Sequence, residues 1–226
     1  VSGRPDAGRR IFCVAAAVVL ALLTAPAARA ESPWELLEDL RSDLEASGPI
    51  TGRFVQTYVP AGFAEGDRES GHLSLWLPRC LRWNYEEPQK KSFLLCEDEV
   101  YFWNDEDPGG RHYRIDPQEE PGLDLLLLGV DRLRERYVAG SEKRSDGTYE
   151  ITLALPPSRQ GARQQDMGRE GNFGATIHLD PVAKRLVGLE YTDAEGNLTR
   201  FEVSDYQKLS HTALFQPPQD IEWTEE

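Results

Sequence analysis

Residues that build catalytic and metal centres are scarce in this chain. It has four histidines and three cysteines in 226 residues. No two of His72, His112, His178 and His211 stand at metal-ligand spacing. A Gly-x-Ser-x-Gly elbow, a phosphate-cradling glycine loop and a dinucleotide fingerprint are all missing. Nothing in the sequence supports a zinc enzyme, a serine hydrolase or a nucleotide-dependent enzyme, and no cofactor is expected. Asp105-x-Asp107 opens like a calcium loop, but glycine stands at the fifth ligand position and Asp116 at the twelfth. It reads as a solvated hairpin tip. The sequon Asn197-Leu198-Thr199 reads as part of a turn.

Positive charge is scarce too. The chain carries 25 basic and 39 acidic residues. Arg4, Arg9, Arg10, Arg29 and Asp6 fall in the first thirty residues. The remainder holds 21 basic and 38 acidic side chains, a net charge of −17. That balance argues against nucleic acid and against anionic lipid surfaces as partners. It favours solubility, which suits a protein carrying apolar cargo.

The one long apolar run, Ile11 to Leu23, follows Arg9-Arg10 and precedes Ala28-Arg29-Ala30. This is the pattern of a secretory signal peptide cut before Glu31. The run is short for a membrane span. Arg9-Arg10-Ile11-Phe12 also resembles a twin-arginine signal. Cys13 lies at the start of the apolar run, far from the cut, so no lipid anchor is expected. Residues 1–30 are read as the leader and 31–226 as one soluble, exported domain.

Gly71 to Pro88 is the richest segment. Leu73, Leu75 and Leu77 alternate with polar or aromatic neighbours, and so do Leu81, Trp83 and Tyr85. Period-2 alternation places each set on one side of a sheet. Phe93 and Leu95 continue the pattern. A hairpin in which paired numbers sum to 176 sets Trp83 against Phe93, Leu81 against Leu95 and Cys80 against Cys96. An oxidising compartment would join those cysteines. Two buried free thiols are the alternative.

Elsewhere, Ser32-Pro33-Trp34-Glu35 reads as a capping box with proline at the first helical position. Trp34, Leu37, Leu40 and Leu44 follow at helical spacing up to Gly48-Pro49. Strands are expected at Ile50–Val59, through the Gly71–Cys96 hairpin, and at Val100–Asn104 and His112–Ile115. A leucine-dense helical insertion follows from Gly122 to Leu128, with a further turn or two at Asp131–Arg136. The second half alternates like strand: Tyr149 to Leu155, Phe173 to Leu179, Val187-Leu189-Tyr191, and Leu198 to Tyr206. Pro156 to Asn172 reads as a polar loop and the residues after Pro218 as a short tail. About ten strands in sequential order predict a mainly β meander, a barrel or a strongly curved open sheet.

Several landmarks occur together and in order. They are Gly52-x-Phe54-x-Gln56, Gly71-x-Leu73-x-Leu75, Pro78 with Leu81-Arg82-Trp83-x-Tyr85-x-x-Pro88, Asp193-x-x-Gly196-Asn197-x-Thr199, and Phe215-x-Pro217-Pro218. The set resembles the outer-membrane lipoprotein carrier protein family, LolA, over about Leu36 to Ile221. The resemblance implies an unclosed antiparallel β-barrel with a helical lid over an apolar inner face. It also implies a monomeric periplasmic carrier rather than an enzyme. Its partners would be triacylated lipoproteins, an inner-membrane ABC transporter that supplies them and an outer-membrane acceptor. The expected acyl-chain cavity is Phe54, Leu73, Leu75, Leu81, Trp83, Phe93 and Leu95. The expected lid is Trp34, Leu37, Leu40, Leu125, Leu126 and Leu128. The family's arginine before this proline, which holds the lid, is replaced here by Leu77. Arg79 or Arg82 is the candidate substitute, as a lid or partner contact; solvated strand faces or ion pairs with the surplus carboxylates are the alternative. Glutamate at Leu81 or Trp83 is expected to abolish cargo handling in a folded domain. A periplasmic regulator that senses lipid or lipoprotein with the same half-barrel is the competing reading.

Overall fold

The computed structural model describes residues 31–104, 106, 109–116, 123–156 and 174–225. The leader, the Asp105-x-Asp107 tip and most of the polar Pro156–Asn172 loop lie outside the described residues.

Helix α1 (Pro33–Ser47) buries Leu36, Leu37, Leu40 and Leu44. Its start differs from the expected capping box. Ser32 makes no side-chain cap, and its carbonyl accepts from Leu36 N at 3.1 Å. Gly48 takes φ 68°, a left-handed value that ends the helix without a Cβ penalty.

Six strands follow: β1 (Ile50–Val59), β2 (Asp67–Trp76), β3 (Cys80–Glu87), β4 (Lys91–Cys96), β5 (Glu99–Asn104) and β6 (Gly109–Arg114). Two short helices interrupt the sheet, α2 (Leu123–Leu127) and α3 (Val130–Arg136). Then come β7 (Val138–Lys143), β8 (Tyr149–Ala154), β9 (Gly174–Asp180), β10 (Arg185–Thr192), β11 (Leu198–Lys208) and β12 (Glu222–Glu225). All twelve form one curved, unclosed sheet in the order β12-β6-β5-β4-β3-β2-β1-β11-β10-β9-β8-β7.

This corrects the expected ten-strand sequential order. Two meanders, β1–β6 and β7–β11, are joined where β1 pairs antiparallel with β11. The supposed tail supplies β12, which pairs in parallel with β6. Trp223 lies so close over Gly110 that a Cβ there would stand 2.4 Å from the indole ring. Gly71 is needed for a similar reason: a Cβ would stand 2.0 Å from the carbonyl oxygen of Asn84 on β3.

The sheet has two apolar faces where the sequence pattern implied one. The inner face carries the main core beneath the helices, including Phe54, Leu75, Leu81, Leu95, Ile151 and Leu179. The outer face carries Cys80, Leu94 and Trp103, roofed by Phe215, Ile221 and Trp223 from the C-terminal segment. β3 and β4 pair in the predicted register, Trp83 with Phe93, Leu81 with Leu95 and Cys80 with Cys96.

Cys80 and Cys96 are joined by a disulfide, sixteen residues apart in sequence. Closing a loop of that length stabilises by roughly 3 kcal/mol on the chain-entropy estimate. Replacing both cysteines with serine should lower the melting temperature by roughly 6–12 °C for a domain of this size. A thermal melt of the exported domain checks it. Two titratable thiols in the unfolded, unreduced wild type would remove the premise.

Candidate functional site

The family landmarks acquire physical roles on the inner face. Gly52 sits at an irregularity in the β1–β11 register, where a Cβ would stand 2.9 Å from Ser204 O. Two residues on, Phe54 meets Tyr85 edge-on with ring centroids 5.0 Å apart. Two further on, Gln56 Oε1 accepts the Tyr85 hydroxyl at 2.6 Å. Burial pushes the Tyr85 phenol above its ordinary range, and the negative charge of Glu69 adds to the rise. Tyr85 therefore stays neutral and keeps its proton for Gln56.

Two crevices lie between sheet and helices. The narrow one, about 40 Å³, is closed by α1, α2 and α3; Leu37, Leu40, Leu77, Leu125, Leu126 and Leu128 are among its walls. The wider one, about 170 Å³, is aromatic: Trp83, Tyr85, Phe93, Tyr191 and Phe201 line it with Gln56, Leu126 and Leu189. Leu126 and Leu189 border both. Leu126 on α2 is thus part of the partition between them.

The expected cavity residues separate by depth. Trp83 and Phe93 line the wider crevice. Phe54, Leu73, Leu75, Leu81 and Leu95 are buried in the core and line neither crevice. Of the expected lid residues, Leu37, Leu40, Leu125, Leu126 and Leu128 come together around the narrow crevice. Trp34 packs against the main core without lining that crevice, its ring 5.6 Å from the Arg134 guanidinium.

Missed by the sequence pattern was Leu186, which takes the place expected for Val187 beside Leu189 and Tyr191 on the inner face. A register shift between Leu186 and Gly188 changes the phase of β10. Val187 goes to the outer face with His178 and Glu190 instead of accompanying Leu189.

The polar contacts of the cover come from an unexpected residue. Arg41 on α1 donates from Nη1 to Leu126 O at 2.7 Å and Leu128 O at 3.2 Å, and from Nη2 to Leu127 O at 3.1 Å. Its Nε donates to Glu45 Oε1 at 2.6 Å. The last carbonyls of a helix lack intrahelical donors, and a cation there is favoured by the helix dipole. One guanidinium thus clamps the end of α2 onto α1. Leu77, the position of the family arginine, lies in the same crevice as Arg41. Arg41 is the single basic residue of a helix holding Glu35, Glu38, Asp39, Asp43 and Glu45. That isolation was the available signal.

Arg79 and Arg82 lie on the other side of the sheet. Arg79 rests over the Trp76 ring at 4.9 Å. Arg82 donates to Leu214 O at 3.1 Å and to Asn84 Oδ1 at 3.1 Å, and lies over Trp103 at 4.8 Å. It holds the C-terminal segment rather than the lid, which corrects its expected substitution for the latch.

Further contacts moor the cover. Arg134 on α3 bonds Glu38 at 2.7 Å. Arg185 on β10 pairs with Asp43 and donates to Ser47 Oγ at 3.1 Å. The Arg185 hydrogen bond holds the Asp43 carboxyl below its ordinary range. That contribution is present above the usual carboxylate pKa and fades as pH falls through the lowered value. Among the described residues, no three His, Cys, Asp or Glu side chains converge on a metal position.

The family model of the outer membrane lipoprotein carrier protein LolA matches residues 46–217. The chain belongs to the LolA family. LolA-superfamily proteins are binding and carrier proteins, and LolA-family members are periplasmic. An uncharacterised conserved protein from Thermus thermophilus shares the fold at TM-score 0.52 and 12% identity, over 85% of this chain and 98% of that one. A LolA superfamily protein from Nitrosomonas europaea aligns at TM-score 0.45 and 11% identity, over 83% and 99%. MucB, solved in complex with the periplasmic part of MucA, aligns at 0.42 and 15%, over 84% and 61%. No curated protein sequence matches the chain.

Proposed function

We propose that this LolA-family protein is an exported periplasmic carrier that shelters the acyl chains of triacylated lipoproteins on its inner face. It takes them from an inner-membrane ABC transporter and gives them to an outer-membrane acceptor. The observation that carries this reading is the shared wall of the two crevices. Moving α2, and with it Leu126, would join a filled and an open apolar chamber into one.

Energetics favour a movable cover. Each buried acyl methylene is worth roughly 0.8 kcal/mol. Several chains in a rigid open cavity would bind too tightly to be released. A cover that closes over the empty site offsets part of that gain, because cargo must displace it. The Arg41 clamp on α2 is a contact of the right kind: strong, polar and separable without disrupting the sheet.

The test is release of a triacylated lipoprotein from membranes by the purified domain, residues 31–226, with the unacylated form as control. A stoichiometric soluble complex that depends on acylation is expected. Failure to form one, even with the partner transporter supplied, would sink the carrier reading and favour the lipid- or lipoprotein-sensing regulator.

A further inference from the structure

We propose that the wider crevice is a preformed first site for the end of one alkyl chain, about six carbons, filled while the cover is still closed. The rest of a long chain, and any further chain, enters only by displacing Leu126. This rests on the acyl-binding reading above. It adds the order of entry and names the ligand that the closed protein takes, a single short alkyl chain.

The two crevices are built differently. Seven of the eight residues around the wider one stand on β1, β3, β4, β10 and β11, and only Leu126 comes from the cover. Around the narrow one, nine of thirteen come from α1 or from residues 125–133. The wider crevice therefore belongs to the sheet, and the narrow one gains space only when helices part from the sheet. The walls of the wider crevice are also braced. The Phe201 ring packs against Phe54 at 6.0 Å and Trp83 at 6.3 Å between centroids. Tyr85 is held edge-on by Phe54 at 5.0 Å and by its bond to Gln56 at 2.6 Å. Phe93 leans on Phe102 at 5.2 Å. Side chains that fix one another do not collapse into an empty space, so a ligand meets a site already formed.

Size and charge set what fits. A dry apolar cavity of roughly 150 Å³ accepts benzene, a molecule of six carbons. The wider crevice, at about 170 Å³, has room for a similar amount. No Lys, Arg, His, Asp or Glu lines it, so an uncharged chain end is favoured over a head group. Carbons beyond the first six stay outside until Leu126 gives way. Leu126 is bound to the clamp, because its carbonyl accepts from Arg41 at 2.7 Å. Past it lies only the narrow crevice, about 40 Å³, which the cover fills.

The test titrates straight-chain alcohols from butanol to dodecanol into the exported domain, as wild type and as Arg41→Met. In the wild type each added methylene should tighten binding roughly fourfold up to about six carbons, and less than about twofold beyond. Arg41 borders the narrow crevice and not the wider one. Arg41→Met should therefore leave hexanol affinity within about twofold and tighten dodecanol roughly ten- to a hundredfold, restoring the steep slope. Leucine-methyl NMR reads the location. Hexanol should shift Leu126 and Leu189 but not Leu37, Leu40 or Leu133, which border the narrow crevice alone. An unbroken slope to dodecanol in the wild type, a break that persists in Arg41→Met, equal tightening of hexanol and dodecanol, or hexanol shifts at Leu37, Leu40 and Leu133 would overturn the closed first site while leaving acyl binding intact. No binding of any alcohol would overturn both.

Discussion

Arg41→Met should tighten binding of a fluorescent acyl probe by roughly ten- to a hundredfold and slow its release to match. One net hydrogen bond to a charged group contributes about 1.5–3 kcal/mol, and a guanidinium that regains water when α2 moves counts for about one such bond rather than the sum of those it makes. Arg41 makes three to the carbonyls of Leu126, Leu127 and Leu128. On the proposed gating they break when α2 moves, so they oppose binding of anything that needs it moved. Removing them raises the open fraction, and apparent affinity rises in proportion. Methionine keeps an unbranched apolar stem against the leucines and removes only the clamp. An equilibrium titration and a stopped-flow release trace read the two effects. The same affinity and release rate in Arg41→Met would show that α2 does not gate the site.

Leu81→Glu should abolish folding rather than cargo handling. Leu81 is 0% exposed, between Leu75 on β2 and Leu95 on β4. A carboxylate there has no partner and must stay protonated or unfold its surroundings. The expected loss exceeds about 4 kcal/mol, a large share of a domain's total stability. This corrects the expectation that glutamate at Leu81 leaves a folded domain. Leu126→Glu is the informative counterpart. Leu126 is only partly buried, at the border of both crevices. It should keep a wild-type melting transition and lose acyl-probe binding. A folded Leu81→Glu variant, or a Leu126→Glu variant that still binds the probe, would contradict this division between core and site.

The contrast between Leu81 and Leu126 also marks how far the sequence could be read. Alternation told that Leu81, Trp83, Phe93 and Leu95 share a face, because side-chain direction in a strand follows from position alone. Depth is a different quantity. It depends on what packs above each residue: Leu81 is fully buried in the main core, whereas Trp83 and Phe93 border the wider crevice. The same limit explains β10. Val187 alternates correctly with Leu189, yet one irregularity opposite β9 sent it to the outer face.

Local chemistry determined a good deal by itself. The register of the β3–β4 hairpin followed from three coincident pairs, since one offset had to satisfy the apolar residues and the cysteines together. The two helical pieces followed from their leucine spacing. The ordered landmarks identified the family, because each meets a local need such as a glycine where backbones nearly touch. Tertiary structure alone decided that β1 joins β11, that the last strand returns to β6, and that the C-terminal segment roofs a second apolar face. It also put Arg41 of α1, rather than Arg79 or Arg82, against the carbonyls of Leu126, Leu127 and Leu128. Such contacts join residues 85 or more positions apart. No period or short motif records them, since a guanidinium finds the nearest unpaired carbonyls only after the chain has folded.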